Sequence, residues 1–312
     1  MRVPLPAAMI TTSNAVMLKS SLILRIIRHG CCLLGLSALA LLSGCSTIQI
    51  AYNQADELAY WWLDGYVDLT DKQKPFVKDT LRHLHQWHRQ SQLPEYVVFL
   101  QKLRALAPYD IHAEQACSVL QEVQSGFVGL VRHVEPEATQ LVTQLSATQL
   151  NNVRKKYDKL NQEWREDYMD VSDEKRLRYR NKQLLSRLED FYGNLDTLQK
   201  ETLKQWIAKS SFHPATSYED RLRRQNDALQ TFHRIIQSGA SNAASQAMLR
   251  GWMDRSLLPP DETLQKYSQT LKQENCEGFA KLHNSTSRAQ RERLAENLRS
   301  YETIFYNLSL KK

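Results

Sequence analysis

Cys45 is the residue with the plainest chemistry in this chain. It follows Leu42-Ser43-Gly44, which close an apolar run that starts near Cys31 and contains no charge. Upstream lie Arg2, Lys19, Arg25 and Arg28, and the first acidic residue is Asp56. A basic segment, a short apolar core and small residues before a cleavage point make a secretory signal. The thiol directly behind that point is a nucleophile placed to carry a lipid. Cys117 and Cys276 are the only later cysteines. In an oxidising compartment they can pair; the alternative is two buried free thiols. His85 and His88, three apart with Trp87 between them, share a helical face while His83 points elsewhere. Two imidazoles fall short of a metal ligand set, so a surface histidine patch is expected, with no metal and no cofactor. Asp64 and Asp68 have a spacing open to acid–base work. They flank an expected helix start, where carboxylates serve as caps. The chain has no Gly-x-Ser-x-Gly, no phosphate-cradling Gly-rich loop and no His-Glu-x-x-His, so no enzyme is expected.

The box at Leu42–Cys45 resembles the bacterial lipobox, whose cysteine is acylated and becomes the new N-terminus. The 13 residues from Cys31 to Ser43 are too few to span a bilayer, which takes roughly 20. A cleaved signal over residues 1–44 is therefore expected rather than an uncleaved anchor. Met17 offers a more ordinary start for such a signal than Met1. Ser46 after the cysteine, in place of Asp, points by analogy with enterobacterial sorting to the periplasmic face of the outer membrane.

Cleavage before Cys45 leaves 268 of the 312 residues and removes four positive charges, taking the net charge from +7 to about +3. So mild a balance, on an exported chain, excludes nucleic acid as a partner. The body is rich in Leu, Gln, Lys, Arg and Glu and poor in Gly, with no run of alternating β-branched residues. The expected fold is all-α, a multi-helix bundle of long antiparallel helices forming a single domain over residues 45–312. Ile48, Ala51, Tyr52, Ala55, Leu58, Ala59, Trp62 and Leu63 recur at helical spacing and place Trp62 in the core. Trp61 falls off that face and suits a membrane interface. Further helices are expected near 70–91, 94–106, 112–134, 146–170, 172–192, 196–210, 217–238, 241–255, 260–284 and 287–309. Breaks fall at Pro94, Pro108, Pro136, Pro214 and Pro259-Pro260, with the weakest join at Ser211–Ser217.

Four of these helices open alike, at Leu69-Thr70-Asp71-Lys72-Gln73, Leu145-Ser146-Ala147-Thr148-Gln149, Leu195-Asp196-Thr197-Leu198-Gln199 and Thr286-Ser287-Arg288-Ala289-Gln290. Thr, Ser or Asp three residues before Gln is the capping-box spacing. Their unequal separations exclude a fixed-period solenoid. Between Arg154 and Arg187 basic residues alternate with acids, as on a solvated helix pair. Within that stretch Arg176, Arg178 and Arg180 lack obvious acidic neighbours in sequence and suit lipid headgroups or a partner. Arg221, Arg223 and Arg224 form a smaller patch of the same kind.

Tyr60-Trp61-Trp62-Leu63-Asp64-Gly65-Tyr66-Val67-Asp68-Leu69-Thr70, Trp87-His88-Arg89, Leu93-Pro94-Glu95-Tyr96, Asn161-Gln162-Glu163-Trp164-Arg165-Glu166-Asp167-Tyr168 and Arg223-Arg224-Gln225 follow the lipobox. Together they resemble an uncharacterised proteobacterial family of helical lipoproteins, a domain of unknown function. That resemblance implies an all-helical lipoprotein and transfers no activity. Leu69-Thr70-Asp71-Lys72-Gln73 is in addition similar to the Leu-Thr-x-x-Gln motif of small periplasmic stress chaperones. The expectation is a lipid-anchored periplasmic protein, held to the membrane by Cys45, that binds an envelope protein or cell-wall component without catalysis. The alternatives are a membrane-tethered holdase, or an enzyme whose site is assembled from distant residues.

Overall fold

The computed structural model describes residues 43–311, with side chains from Ile48 onward. The signal read over 1–44 and the side chain of Cys45 fall outside that description. All regular structure among the described residues is helical. Tyr52–Lys312 makes one compact unit, and the chain before Tyr52 belongs to another. The helices are α1 Ser43–Asn53, α2 Ala55–Val67, α3 Gln73–Trp87, α4 Leu93–Leu106, α5 Ala113–Thr143, α6 Ala147–Tyr168 and α7 Asp173–Tyr192. They continue with α8 Thr197–Lys209, α9 Pro214–Ser238, α10 Asn242–Leu257, α11 Glu262–Asn284 and α12 Arg288–Ser309.

Local chemistry accounts for most helix starts. Side-chain oxygens of Ser146, Ser172, Asp196, Ser241, Asp261 and Ser287 each accept an amide hydrogen from the first turn of the helix that follows. Pro214 opens α9 as its first residue, where a missing N–H costs nothing, so this helix begins earlier than the expected Ser217. Two expected breaks are absent. The backbone stays helical through Pro94 by widening to a five-residue π-turn over His88–Gln92 between α3 and α4. Proline can neither donate to the preceding turn nor fit against its carbonyl, and one extra residue in the turn accommodates both defects. Pro136 lies inside α5, which runs on to Thr143. The segment beyond it buries Thr139 and Val142, and that burial outweighs one lost hydrogen bond.

Among the described residues two hydrophobic clusters form. In the first, Tyr60 and Val67 of α2 and Val77 of α3 meet Val142 of α5, Val153 of α6, Leu229 and Ile235 of α9 and Leu249 of α10. In the second, Leu188 and Tyr192 of α7, Leu203 and Ile207 of α8 and Leu282 of α11 pack together, with Phe279 and Leu294 against them. Trp62 is not in the first core as its spacing suggested: it is 64% exposed, whereas its neighbour Tyr60 is 7% exposed. The α2 stripe that α3 and α6 cover runs through Tyr60, Leu63 and Val67 and is rotated away from Leu58 and Trp62. Trp61 and Trp62 therefore both face outward.

The four repeated helix starts are joined in two pairs. Gln73 and Gln149 exchange amide hydrogen bonds, Nε2 of each donating to Oε1 of the other at 3.4 and 2.7 Å. Gln199 and Gln290 do the same at 2.8 and 2.9 Å. Each Oε1 also accepts the amide hydrogen of its own box, from Thr70, Ser146, Asp196 and Ser287. Each Nε2 donates a second time across the pair, to the carbonyls of Gln144, Asp68, Ser285 and Asn194. Every such carbonyl lies two residues before the partner's Thr, Ser or Asp. A glutamine amide offers two donors and two acceptor sites, and here all four are used. The preceding residues Leu69, Leu145, Leu195 and Thr286 are all buried beneath the pairs. Leu69 and Leu145 beside the first pair belong to the first core, and Leu195 beside the second pair belongs to the second.

Candidate functional site

α4, α5, α7, α8, α11 and α12 leave a cavity of about 580 Å3 between them. Leu103 and Leu106 come from α4, Val119 and Leu120 from α5, and Leu184 and Leu188 from α7. Trp206, Phe279, Leu294 and Leu298 complete much of the wall. Lining groups with polar atoms are few: Gln115, Asn275, Tyr192, His283 and the Trp206 indole. No residue with a formal charge at neutral pH lines it. Val123 and Phe191 are exposed at its rim, and Phe127, one helical turn beyond Val123, is exposed as well.

The packing around the cavity is specific. Cys117 of α5 and Cys276 of α11 form a disulfide with Cα atoms 5.3 Å apart, and Cys276 is part of the wall. The indole of Trp206 lies so close over Gly278 that an added Cβ would overlap the ring. This is why a glycine stands mid-helix in α11 despite its poor helical propensity. His283 is buried at the cavity edge. Its Nε2 lies 2.8 Å from the Tyr109 carbonyl, and its Nδ1 lies 2.8 Å from the Tyr192 hydroxyl. A carbonyl only accepts, so Nε2 carries the proton, and in the neutral ring Nδ1 then accepts from the tyrosine hydroxyl.

Burial holds the His283 pKa below its ordinary 6.5, and burial likewise lowers those of His85 and His88. A histidine kept neutral in the fold but free to charge when unfolded removes stability as pH falls through the unfolded pKa. The urea midpoint is therefore expected to drop between about pH 7 and pH 5.5, before carboxylates titrate. His283→Gln should weaken that dependence. Midpoints that coincide at pH 7.5 and 5.5 would overturn this reading.

The remaining sequence candidates are dispersed. His85 and His88 turn toward Tyr52, whose hydroxyl is 2.9 Å from His88 Nδ1 and whose pKa burial pushes up to about 12. Among the described residues no three His, Cys, Asp or Glu side chains are grouped to hold a metal. Asp64 accepts the Leu69 amide hydrogen at 2.8 Å, and Asp68 ends α2 in a left-handed conformation with φ 59°. Both carboxylates thus shape the α2–α3 turn. Arg176 pairs with Asp173 and Arg178 with Glu174, so these two are not the acid-free cations that sequence suggested. Carboxylates three and four residues earlier lie on the same helical face, which linear proximity conceals. Arg180 alone of the three has no carboxylate partner and lies over the Phe212 ring at 4.3 Å.

Two buried polar clusters carried no periodic signal. Glu135 of α5 is 1% exposed and accepts from Arg250 of α10 and Arg132. The hydrogen bonds from Arg250 are the main reason its pKa lies below the usual carboxylate value. Asn161 of α6 and Gln225 of α9 exchange amide hydrogen bonds at 2.7 and 3.0 Å, while Arg221 donates to Asn161 at 2.7 Å. Each cluster forms only when distant helices meet, and a single sequence does not display that meeting.

Among the described residues no helix is long and apolar enough to cross a membrane. No curated protein and no solved structure matches the chain. A family match covers residues 65–261, from the end of α2 to the cap of α11. It contains the first core apart from Tyr60, together with its glutamine pair, and stops short of α11 and α12, which complete the cavity. That match takes in well over half of the chain, and the protein belongs to the family of unknown function DUF6279.

Proposed function

We propose that the protein is a lipid-anchored component of the cell envelope that acts by binding rather than catalysis, and that its apolar cavity holds an aliphatic chain. The cavity carries this reading. Its volume of about 580 Å3 lies within the ~300–1,000 Å3 of small-molecule sites. Its walls offer almost nothing to orient a polar ligand. The cavity opens at its rim beside Val123 and Phe191, so a chain can enter, and its apolar walls are better covered by an aliphatic chain than by water. A lipidated Cys45 at the periplasmic face of the outer membrane would keep the protein where acyl chains are abundant. The Cys117–Cys276 bond supports export to an oxidising compartment. The exposed Trp61 and Trp62 on α2, the first helix of the compact unit, support contact with a membrane interface or an envelope partner.

The test is to extract the protein, purified without detergent, into organic solvent and identify bound material by mass spectrometry, then to titrate a fluorescent fatty acid. Val123→Glu sets a charge at the exposed rim with little cost to folding, and Ala116→Phe fills the interior. Each is expected to weaken probe binding at least tenfold. A protein that carries no aliphatic material, and whose probe affinity neither variant changes, would overturn the proposal.

A further inference from the structure

A second cavity, of about 480 Å3, opens between α6, α7, α8 and α9, and its character is opposite to the first. Four guanidinium groups line it, from Arg180 and Arg187 of α7 and Arg221 and Arg224 of α9, and no acidic residue does. Trp164 and Tyr168, stacked with centroids 4.9 Å apart, form part of its wall.

Nearby carboxylates are engaged elsewhere. Asp220 holds Arg223 and Arg224, Asp167 accepts from the Tyr179 hydroxyl, and Glu274 holds Ser211. Only Arg224 of the four cations is neutralised. Arg221 donates to Asn161 and to the Leu160 carbonyl, both uncharged. Arg180 reaches only the Ser210 hydroxyl, at 3.3 Å, and lies over Phe212. Arg187 makes no hydrogen bond or ion pair among the described residues. Burial lowers the Arg180 pKa, the mark of a cation short of solvent.

Three uncompensated guanidiniums around one cavity repel one another, and an anion relieves that repulsion. A lone carboxylate carries one charge and satisfies one guanidinium fork. A phosphoryl group carries up to two charges on three oxygens and can engage several forks at once. We infer that this basic, aromatic-walled cavity is a phosphate-recognition site, built by Arg180, Arg187 and Arg221 with Trp164 and Tyr168 beside the anion. A free phosphate monoester and the monoester headgroup of phosphatidic acid share that chemistry. Leu184 lines both this cavity and the apolar one, so a headgroup here could send its chain along α7.

The experiment is calorimetric titration of the full-length protein with glycerol 3-phosphate, with a short-chain phosphatidic acid and, as a control, with acetate. Arg187→Glu is the principal variant because Arg187 is exposed and unpaired, so folding does not depend on it. Arg180→Lys keeps one charge but removes the fork. Phosphate binding that weakens at least tenfold in Arg187→Glu, and falls as salt screens the site, supports the inference. Binding of the soluble ester identifies a free solute as sufficient, and binding of the lipid alone identifies a headgroup. Absence of phosphate binding at millimolar concentration overturns it, as would acetate binding of equal strength or an Arg187→Glu variant that binds like the parent.

Discussion

Gln199→Glu is expected to lower the unfolding free energy by about 3–5 kcal/mol at neutral pH, since a buried donor lost to its partners costs ~1–3 kcal/mol and a buried charge costs more. Gln199 is 2% exposed and donates to the Ser285 carbonyl and to Gln290 Oε1. A carboxylate removes both donations. It also sets a negative oxygen against the Gln290 oxygen and leaves the Ser285 carbonyl without that donor. A capping box alone accepts Glu as readily as Gln, so the two explanations of the motif separate here. Burial without a cation raises the introduced carboxyl's pKa above its unfolded value. The penalty is therefore largest at neutral pH and shrinks as pH falls through the raised pKa, because the protonated acid regains one donor. Urea unfolding of the parent and variant at pH 7.5 and pH 5 measures both effects. A loss below 1 kcal/mol at pH 7.5 would show that simple capping accounts for these positions.

Removing the disulfide with Cys117→Ser and Cys276→Ser is expected to cost about 5 kcal/mol by the chain-entropy estimate, because the bond closes a loop of sequence separation 159. Much of that stabilisation comes from the unfolded chain, whose freedom the bond restricts. The native state feels the change too, since Cys276 belongs to the apolar wall and the bond fixes α5 against α11. Two consequences are expected together: a lower urea midpoint and weaker acyl-probe binding. The parent treated with reductant should behave like the double variant. A midpoint shift equivalent to less than 1 kcal/mol would show that packing of α5 on α11 suffices without the bond. Free thiols at both positions in the exported protein would show that the bond does not form there.

These two results bear on different links of the same chain of cause. The glutamine pairs decide how helix ends from distant parts of the sequence dock. The disulfide decides how firmly two of the docked helices are held beside the cavity. The glutamine defect would reach the binding site through packing alone, whereas the disulfide variant also alters Cys276 in the cavity wall.

The sequence by itself determined what depends on neighbours a few residues away. The all-helical fold followed from composition and period, and the helix starts at Ser146, Asp196 and Ser287 from capping chemistry within four residues. The bends at Pro108 and Pro259-Pro260 followed from the proline ring. The roles of Asp64 and Asp68 at the end of α2 were local as well. Tertiary structure decided everything that needed two distant segments in register. Pro136 stays inside α5 because the residues beyond it are buried. Trp62 faces outward because α3 and α6 cover another stripe of α2, and hydrophobicity ranks residues without fixing which stripe a neighbour takes. The glutamines read as four separate caps, and only the docked helices reveal two pairs that exhaust each other's hydrogen-bonding capacity. The apolar cavity lies between helices far apart in the chain, and the basic one between four consecutive helices that must first pack. Local propensity reaches about one turn along the backbone, whereas a cavity is the space left after helices have packed.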